Sequence, residues 1–355
     1  MGAVFSVLLN IILFVLILGI LVFVHELGHF LVAKKSGVYI YEFSIGMGPA
    51  IKTIKGKDGI NYSIRALPLG GYVQMAGEIY EDDDSKKIPK KQFMCNRPWW
   101  QRLLILCAGV FNNFVLALLL LFFIALVWGA RSLNPTVDGV VEGSAAEQAG
   151  IKAGDVITKV NGRKVKTWDK AQIYLLLKDK DGAYDITVDR DGESITFSVT
   201  PTVKNKGEKN ETHEFGIQSI AKVRKGFIPS VKYAFQKFFA VWDQMLITVF
   251  NLFTGGISVG DLSGPVGIYE VVGEARKTGV ANVLYLMAYL SLNLGVMNIL
   301  PIPALDGGHV LFLLIELVTR RKMNAKVENI ITTVFFALLL LLMLYVTIHD
   351  VIKLF

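Results

Sequence analysis

The chain has 355 residues, of which 53% are hydrophobic and 19% are charged. Together with a mean hydropathy of +0.48, this composition excludes a disordered protein and an ordinary soluble domain. The net charge of +7 lies largely in loops beside long apolar runs, which is typical of retention on the cytoplasmic side of a membrane and argues against a nucleic-acid partner.

The first predicted element is a transmembrane helix within residues 1–37. Residues 4–24 are apolar except for Ser6 and Asn10, which is long enough to cross about 30 Å of hydrocarbon. A signal peptide is the alternative, but it would need a basic start, a shorter apolar stretch and a small-residue cleavage site. None of these precedes His25, so we interpret the run as a span.

The sequence HELGH, residues 25–29, continues this first helix. HExxH places two imidazoles one turn apart on one helix face, so His25 and His29 can ligate one zinc ion while Glu26 reaches the metal-bound water. Ionisable side chains in an apolar span are costly to bury and rarely lack a function. The motif therefore predicts a catalytic zinc site, which needs a third protein ligand from elsewhere in the chain.

A β-hairpin and a charged loop are predicted over residues 38–102. Strand-like residues 51–54 and 62–64 flank a turn at Lys57, Asp58 and Gly59, which is the pattern of a hairpin. Residues 34–102 hold twelve Lys and Arg, and four more separate the last two spans. Both loops are therefore expected on the cytoplasmic side, which places the N-terminus and residues 131–225 outside.

Three further apolar runs predict spans over residues 103–130, 280–319 and 329–349. The middle run exceeds one straight crossing, and helix-breaking residues are tolerated at membrane depth only where protein or a wet cavity satisfies the freed backbone. Its break is marked by two prolines and two glycines, namely Pro301, Pro303, Gly307 and Gly308. The sequence thus predicts four transmembrane helices, of which the third is broken.

An aromatic helix is predicted over residues 226–258. It carries Lys232, Lys237 and Asp243, and its uncharged part before Gly255 is only 11 residues long. A fifth crossing is the alternative, but an odd crossing would put the basic loop before the last span on the wrong side. We therefore interpret this segment as an amphipathic helix that lies in the membrane interface.

Residues 134–203 change to the composition of a folded aqueous domain, with strand-like pieces at 184–188 and 194–199. The string GIKAGDVI at residues 150–157, preceded by GSAA at 143–146, resembles the core of PDZ domains. The resemblance implies one extracytoplasmic PDZ domain of mixed β/α structure. PDZ domains bind peptides by adding a strand to a sheet edge, although a purely structural module is equally compatible with these turn residues.

Two residues beside the broken segment compete for the third zinc ligand, Asp306 and His309. The first and third spans both run inward, so their late residues reach a similar depth below the cytoplasmic surface. The residues alone therefore leave the choice between the carboxylate and the imidazole open.

The combination of HELGH in the first span, NILPIPALDGGH at residues 298–309 and one intervening PDZ domain resembles the bacterial site-2 protease family of intramembrane zinc metalloproteases. ALPLGGYV at residues 66–73 and DLSGPVGI at 261–268 extend the similarity over nearly the whole chain. The resemblance implies a membrane-associated β-hairpin and a Zn²⁺ cofactor, with Glu26 as the general base. The implied ligands are His25, His29 and Asp306, and the residues implied near the active site are Asn293 and Asn298.

The expected protein is a polytopic α-helical protein of the bacterial plasma membrane and a zinc metalloendopeptidase. By resemblance, its partners are membrane lipid and single-span membrane protein substrates, such as anti-sigma factors or remnant signal peptides cut in regulated intramembrane proteolysis. Two other classes stay open. A zinc or cation transporter would need a polar route across the membrane, and a non-catalytic PDZ scaffold would keep the motif without activity.

Overall fold

The computed structural model describes residues 2–77, 88–177, 182–204, 212–219, 223–255, 260 and 263–353. Its helices are α1 (Gly2–Lys35), α2 (Trp99–Trp128), α3 (Ala145–Ala149), α4 (Trp168–Leu176), α5 (Phe227–Thr254), α6 (Pro265–Thr278), α7 (Val280–Ile299), α8 (Asp306–Thr319) and α9 (Ala325–Lys353). Its strands are β1 (Ile40–Lys55), β2 (Asn61–Met75), β3 (Ala130–Arg131), β4 (Gly139–Val140), β5 (Val156–Val160), β6 (Arg163–Lys164), β7 (Tyr184–Arg190), β8 (Glu193–Val199), β9 (Thr202–Lys204), β10 (Thr212–Glu214), β11 (Ile217–Gln218) and β12 (Val223–Arg224). The chain divides into two compact units, residues 1–120 with 263–352 and residues 121–262 with 353–355.

Within the described ranges, four helices are long and apolar enough to cross a membrane. They are Val4–Lys35, Trp99–Trp128, Val280–Ile299 and Lys326–Ile352. Many of their Leu, Phe and Val side chains are exposed in the isolated chain, as expected for surfaces whose solvent is lipid. The predicted fold class, an α-helical membrane protein with four spans and separate β-structure, is confirmed.

The third span is broken where the sequence predicts it. Helix α7 ends at Ile299, and α8 begins at Asp306. The connecting residues form a tight turn, in which the N–H of Ile302 donates to the carbonyl of Leu300 and the N–H of Leu305 donates to that of Ile302. Because this turn satisfies backbone groups that the prolines release, Asp306 is held at the first position of a new helix.

Helix α6 precedes the third span and is an element that the sequence analysis did not predict. The carboxylate of Asp350, in α9, accepts hydrogen bonds from the N–H groups of Gly264 (2.8 Å) and Gly267 (2.9 Å) at the start of α6. At the other end of α6, Arg276 Nε donates to Asn10 Oδ1 of α1 at 2.6 Å. Helix α6 therefore ties the first turns of α1 to the last turns of α9.

The predicted hairpin is present, and its two long strands fold into four paired segments. Residues 40–45 of β1 pair with 71–75 of β2, residues 42–45 also pair with 61–64, and residues 50–55 pair with 61–65. A cluster with Phe30 of α1 and Ile105 of α2 buries Phe43 and Val73 of the sheet. Residues 71–75 consequently form one edge of a curved sheet that packs against the first two spans.

The second unit contains an antiparallel sheet of order β6-β5-β7-β8. Its core is built around Ile157, Ile186 and Val188, whose side chains are fully buried. The predicted strand-like pieces at 184–188 and 194–199 lie within β7 and β8. Helix α3 begins at an N-cap, Ser144, whose hydroxyl accepts a hydrogen bond from the N–H of Glu147. This arrangement is compatible with the predicted PDZ domain.

Helix α5 lies inside the segment for which an interfacial helix is predicted, and it is not among the candidate spans. Two ion pairs hold it against α4, Lys237 with Asp169 and Lys170 with Asp243. Aromatic side chains remain exposed along it, including Phe239 at 60%. Two of the charges that argue against a crossing, Lys237 and Asp243, therefore bind α5 to α4 of the aqueous domain. The interfacial position of α5 stays a prediction.

A buried ion pair between Asp155 and Arg190 contributes to the stability of this domain. Asp155 is 1% exposed and accepts hydrogen bonds from Arg190 Nε (2.7 Å) and Nη2 (2.8 Å). We expect Arg190→Ala to lower the opening free energy of β5 and β7 by about 3 kcal/mol, because it leaves a buried carboxylate without its cation. Hydrogen exchange of the full chain measures this value, and the exposed Lys164→Ala should change it by less than about 0.5 kcal/mol.

The same pair predicts a dependence on pH. Burial raises the pKa of Asp155, but the hydrogen bonds from Arg190 and Lys152 outweigh it and hold the pKa below its ordinary value. A depressed folded-state pKa stabilises the fold above the unfolded value near 4, and that stabilisation is lost as the pH falls through the folded-state pKa. Protection of β5 and β7 should therefore decline on acidification below about pH 4. Protection that stays constant there would contradict the assignment.

Candidate metal centre

Three polar side chains from two helices meet in the first unit. His25 and His29 lie one turn apart on α1, each only 7% exposed, with their Nε2 atoms 3.3 Å apart. Asp306, the first residue of α8, places Oδ2 at 3.1 Å from His25 Nε2 and 3.3 Å from His29 Nε2. The structure thus brings together the three residues that were predicted as zinc ligands.

The arrangement fits a zinc ion. Tetrahedral zinc with Zn–N bonds of about 2.0–2.1 Å holds its ligand atoms roughly 3.3 Å apart, which agrees with the separations seen here. Asp306 Oδ2 is buried and makes no well-directed hydrogen bond to any described residue, although both imidazoles are near. A Cβ at Gly109 of α2 would lie 2.3 Å from His29 Nε2 and 2.8 Å from His25 Nε2. Glycine therefore leaves the space beside the ring nitrogens free.

The far nitrogens of both imidazoles have partners that orient the rings. His29 Nδ1 lies 2.8 Å from the carbonyl oxygen of Ile105, which can only accept, so Nδ1 carries the proton and Nε2 is free to bind a metal. His25 Nδ1 lies 3.1 Å from the Asn113 side-chain amide. Because Asn113 Oδ1 is buried without a partner in the described part of the chain, a 180° rotation of this amide makes Oδ1 the acceptor for His25 Nδ1–H.

Glu26 stands between the two histidines and beside the edge of the β-sheet. A Cβ at Gly71 would lie 3.3 Å from Glu26 Cγ and 2.8 Å from the carbonyl oxygen of Ser44. The backbone of Val73 also lies near the Glu26 carboxylate. The sheet edge at residues 71–75 therefore approaches the side chain that was predicted as the general base.

Residues 13–342 match the sequence profile of peptidase family M50. The matched range contains the HELGH motif, the sheet edge and Asp306. The chain belongs to peptidase family M50. It is therefore a zinc metalloprotease, and the predicted resemblance, enzyme class and cofactor are confirmed. A transporter and a non-catalytic scaffold are not favoured by this membership.

Relatives that this chain matches over nearly their whole length support the assignment. The "Regulator of sigma-W protease RasP" of Bacillus subtilis (strain 168) is 32% identical, over 98% of this chain and 99% of the relative. The "Zinc metalloprotease RasP" of Bacillus licheniformis is 30% identical over 98% and 99%, and that of Shouchella clausii is 31% identical over 96% and 98%. The protease is thus similar to these proteins over nearly its full length, and it is a multi-pass membrane protein.

Asn113 is the residue at the metal centre of the protease that the sequence analysis missed. It is fully buried in α2, and its backbone carbonyl accepts a hydrogen bond from Ser291 Oγ of α7 at 2.8 Å. The available signal was a pair of polar residues, Asn112 and Asn113, in an otherwise apolar span. Buried amides in a membrane helix need partners, but nothing in the sequence names His25 as that partner.

We expect Asn113→Ala to weaken zinc binding about 10- to 100-fold, because the variant removes the group that orients His25. Competition with a chelator on the full-length protein in detergent measures the change. Asn112→Ala is the matched control, since Asn112 donates to the carbonyl of Val24 at 3.1 Å and does not touch an imidazole. Equal zinc affinities of the two variants would contradict the role of Asn113.

The remaining predicted residues are not ligand candidates of this cluster in the described part of the chain. His309, the competitor for the third ligand position, directs Nδ1 toward Glu328 Oε1 of α9 at 3.3 Å and is not part of the His–His–Asp group. Asn293 and Asn298 are half-buried in α7. Across the described ranges, no hydrogen bond joins either side chain to the cluster, so their functional role stays a prediction.

Proposed function

We propose that the protease cuts peptide bonds within the membrane, in the transmembrane segments of single-span proteins. The observation that carries this proposal is the position of the metal centre inside a candidate span. His25 lies nine residues before Lys34, or about 14 Å of helix. The reacting bond would therefore lie below the membrane surface, near the side where the basic loops are expected.

Each residue of the cluster has a role in the proposed reaction. His25, His29 and Asp306 would hold the zinc. When bound, zinc would lower the pKa of its water and polarise the scissile carbonyl. Glu26 accepts the proton of the attacking water and delivers it to the amide nitrogen that leaves. Gly109 has no side chain and so leaves the space beside the histidines open.

The sheet edge supplies a means of holding the substrate. A transmembrane helix satisfies its own amides, so a segment must be extended before attack, and the exposed groups then need partners in a low-dielectric site. Residues 71–75 form an edge beside Glu26, where an added strand can hydrogen-bond. Asn293 and Asn298 add polar groups on α7 that we propose line the path of water or orient the substrate backbone.

We further propose an orientation and a substrate class. The distribution of Lys and Arg favours an extracytoplasmic N-terminus and PDZ domain in a bacterial plasma membrane. The name of the Bacillus subtilis relative refers to regulation of sigma-W, which supports a membrane-anchored anti-sigma factor, already trimmed outside, as the substrate of this chain. The PDZ domain then excludes untrimmed proteins by size.

One experiment tests the proposed function. The purified full-length protein is incubated with a single-span reporter, and mass spectrometry of the fragments locates the cut. We expect a cut inside the apolar segment, prevented by a zinc chelator and restored by zinc. Cleavage confined to the aqueous flanks of the reporter would overturn intramembrane hydrolysis, even if zinc were required.

A further inference from the structure

A cavity of about 470 Å³ lies in the second unit, between the linker that follows α2, the end of β11 and the start of α5. Three cations line it, Arg131, Arg224 and Lys232, and Asp138 is the acidic residue among its described lining. No ion pair or side-chain hydrogen bond joins any of the three cations to another residue that the structure describes. The cavity thus carries a net positive charge, because the one carboxylate of its described lining offsets only part of the charge of three cations.

A cavity with this charge is suited to bind an anion that has several oxygen atoms. Like charges that share a site repel one another unless a counter-charge enters. Guanidinium groups donate to phosphate in a forked, bidentate geometry, and an ammonium group adds a point charge. Hydroxyl and amide side chains such as Thr136 and Gln236 also line the cavity and suit the hydroxyls of a headgroup. Its volume is that of a site for a small molecule.

The position of the cavity selects among phosphate-bearing ligands. The candidate span of α2 ends at Trp128, three residues before Arg131. Phe122 precedes Trp128 by about 9 Å of helix. Its ring centroid lies 5.5 Å from that of Phe227. Ile228, which follows, lines the cavity and is 79% exposed. One wall of the cavity therefore continues into an apolar surface beside α2. The cations lie at the end of the span, at the level of lipid phosphates.

We propose that this cavity binds the headgroup of an anionic glycerophospholipid. The phosphate lies among Arg131, Arg224 and Lys232, and the acyl chains run along the exposed faces of Phe227 and Ile228. A soluble phosphate leaves that apolar wall uncovered, and a zwitterionic headgroup brings an ammonium group toward three cations. The site accordingly prefers a lipid with a net negative charge.

The test uses the full-length protein in detergent and three probes of matched chemistry. Dihexanoyl phosphatidylglycerol, dihexanoyl phosphatidylcholine and inorganic phosphate are titrated in turn, and native mass spectrometry measures the bound fraction. We expect phosphatidylglycerol to bind at least about tenfold more tightly than either other probe. Inorganic phosphate that binds equally well, or phosphatidylcholine that does so, would overturn the proposal.

Variants assign the binding to the cavity. Combined Arg131→Gln, Arg224→Gln and Lys232→Gln should weaken phosphatidylglycerol about tenfold or more. Changing both arginines to lysine should retain most of the affinity, and Arg131→Gln alone serves if the triple variant does not fold. The matched control changes three cations of β5, β6 and the turn after them, namely Lys159, Lys164 and Lys166, to Gln. An equal loss of phosphatidylglycerol binding in this control would refute the site. A peptide carboxylate that binds the cavity when phosphatidylglycerol does not would refute it as well.

Discussion

Glu26→Gln should reduce kcat/KM for a single-span reporter by about 10²–10⁴-fold while the zinc content stays unchanged. The amide occupies the same volume as the carboxylate beside Gly71, but it cannot take a proton from water. Because His25, His29 and Asp306 are untouched, their three ligand atoms keep the separations of 3.1–3.3 Å. Zinc analysis and reporter cleavage on the same preparation measure both quantities.

Glu274→Gln is the matched control for this variant. Glu274 is 70% exposed on α6, and among the residues that the structure describes its carboxylate pairs with Lys277 of the same helix. The same change of charge there should leave both zinc content and cleavage within experimental error of the parent. If Glu26→Gln cut the reporter as fast as this control, the proton transfer would belong to another group.

The elements that the sequence predicted well are those whose signal is local. A run of apolar residues identifies a span from its length alone, and HExxH fixes two imidazoles on one face through the helical repeat. The break between α7 and α8 is equally local, because proline removes a donor wherever it stands. These features needed no knowledge of which helices become neighbours.

What the sequence could not predict depends on contacts between distant segments. Asp350 caps α6 across 86 positions of the chain, and Asn113 meets His25 across 88. The sheet shows the same limit. Its turn at Asp58 was predicted, but the second pairing of residues 42–45 with 61–64 arises only when the long strands bend back on themselves. Neither helical nor strand periodicity carries that information.

The choice between Asp306 and His309 is a sharper case, because both side chains stand in the first turn of α8, three residues apart. Sequence spacing gives them similar access to a partner helix. The structure separates them by direction, since Asp306 faces α1 whereas His309 faces Glu328 of α9. A local motif could therefore name the helix end that completes the metal site but not the ligand.

Asp306→Ala should weaken zinc binding by more than about 100-fold, beyond the loss expected for Asn113→Ala, because it removes a ligand rather than a group that orients one. Cleavage should be lost with the metal. Asp306→Asn keeps the shape but removes the negative charge that offsets the dication, so it should bind zinc more weakly than the parent. Chelator competition on the full-length protein ranks the three affinities.

His309→Ala is the control that decides the assignment. Its imidazole shares the first turn of α8 with Asp306 but directs Nδ1 toward Glu328, so the variant should keep its zinc and its cleavage activity. A loss of zinc in His309→Ala with full retention in Asp306→Ala would transfer the third ligand to the imidazole. Because Glu26→Gln separates activity from metal content and Asp306→Ala removes both together, the two variants distinguish the proton acceptor from the metal ligand within one cluster.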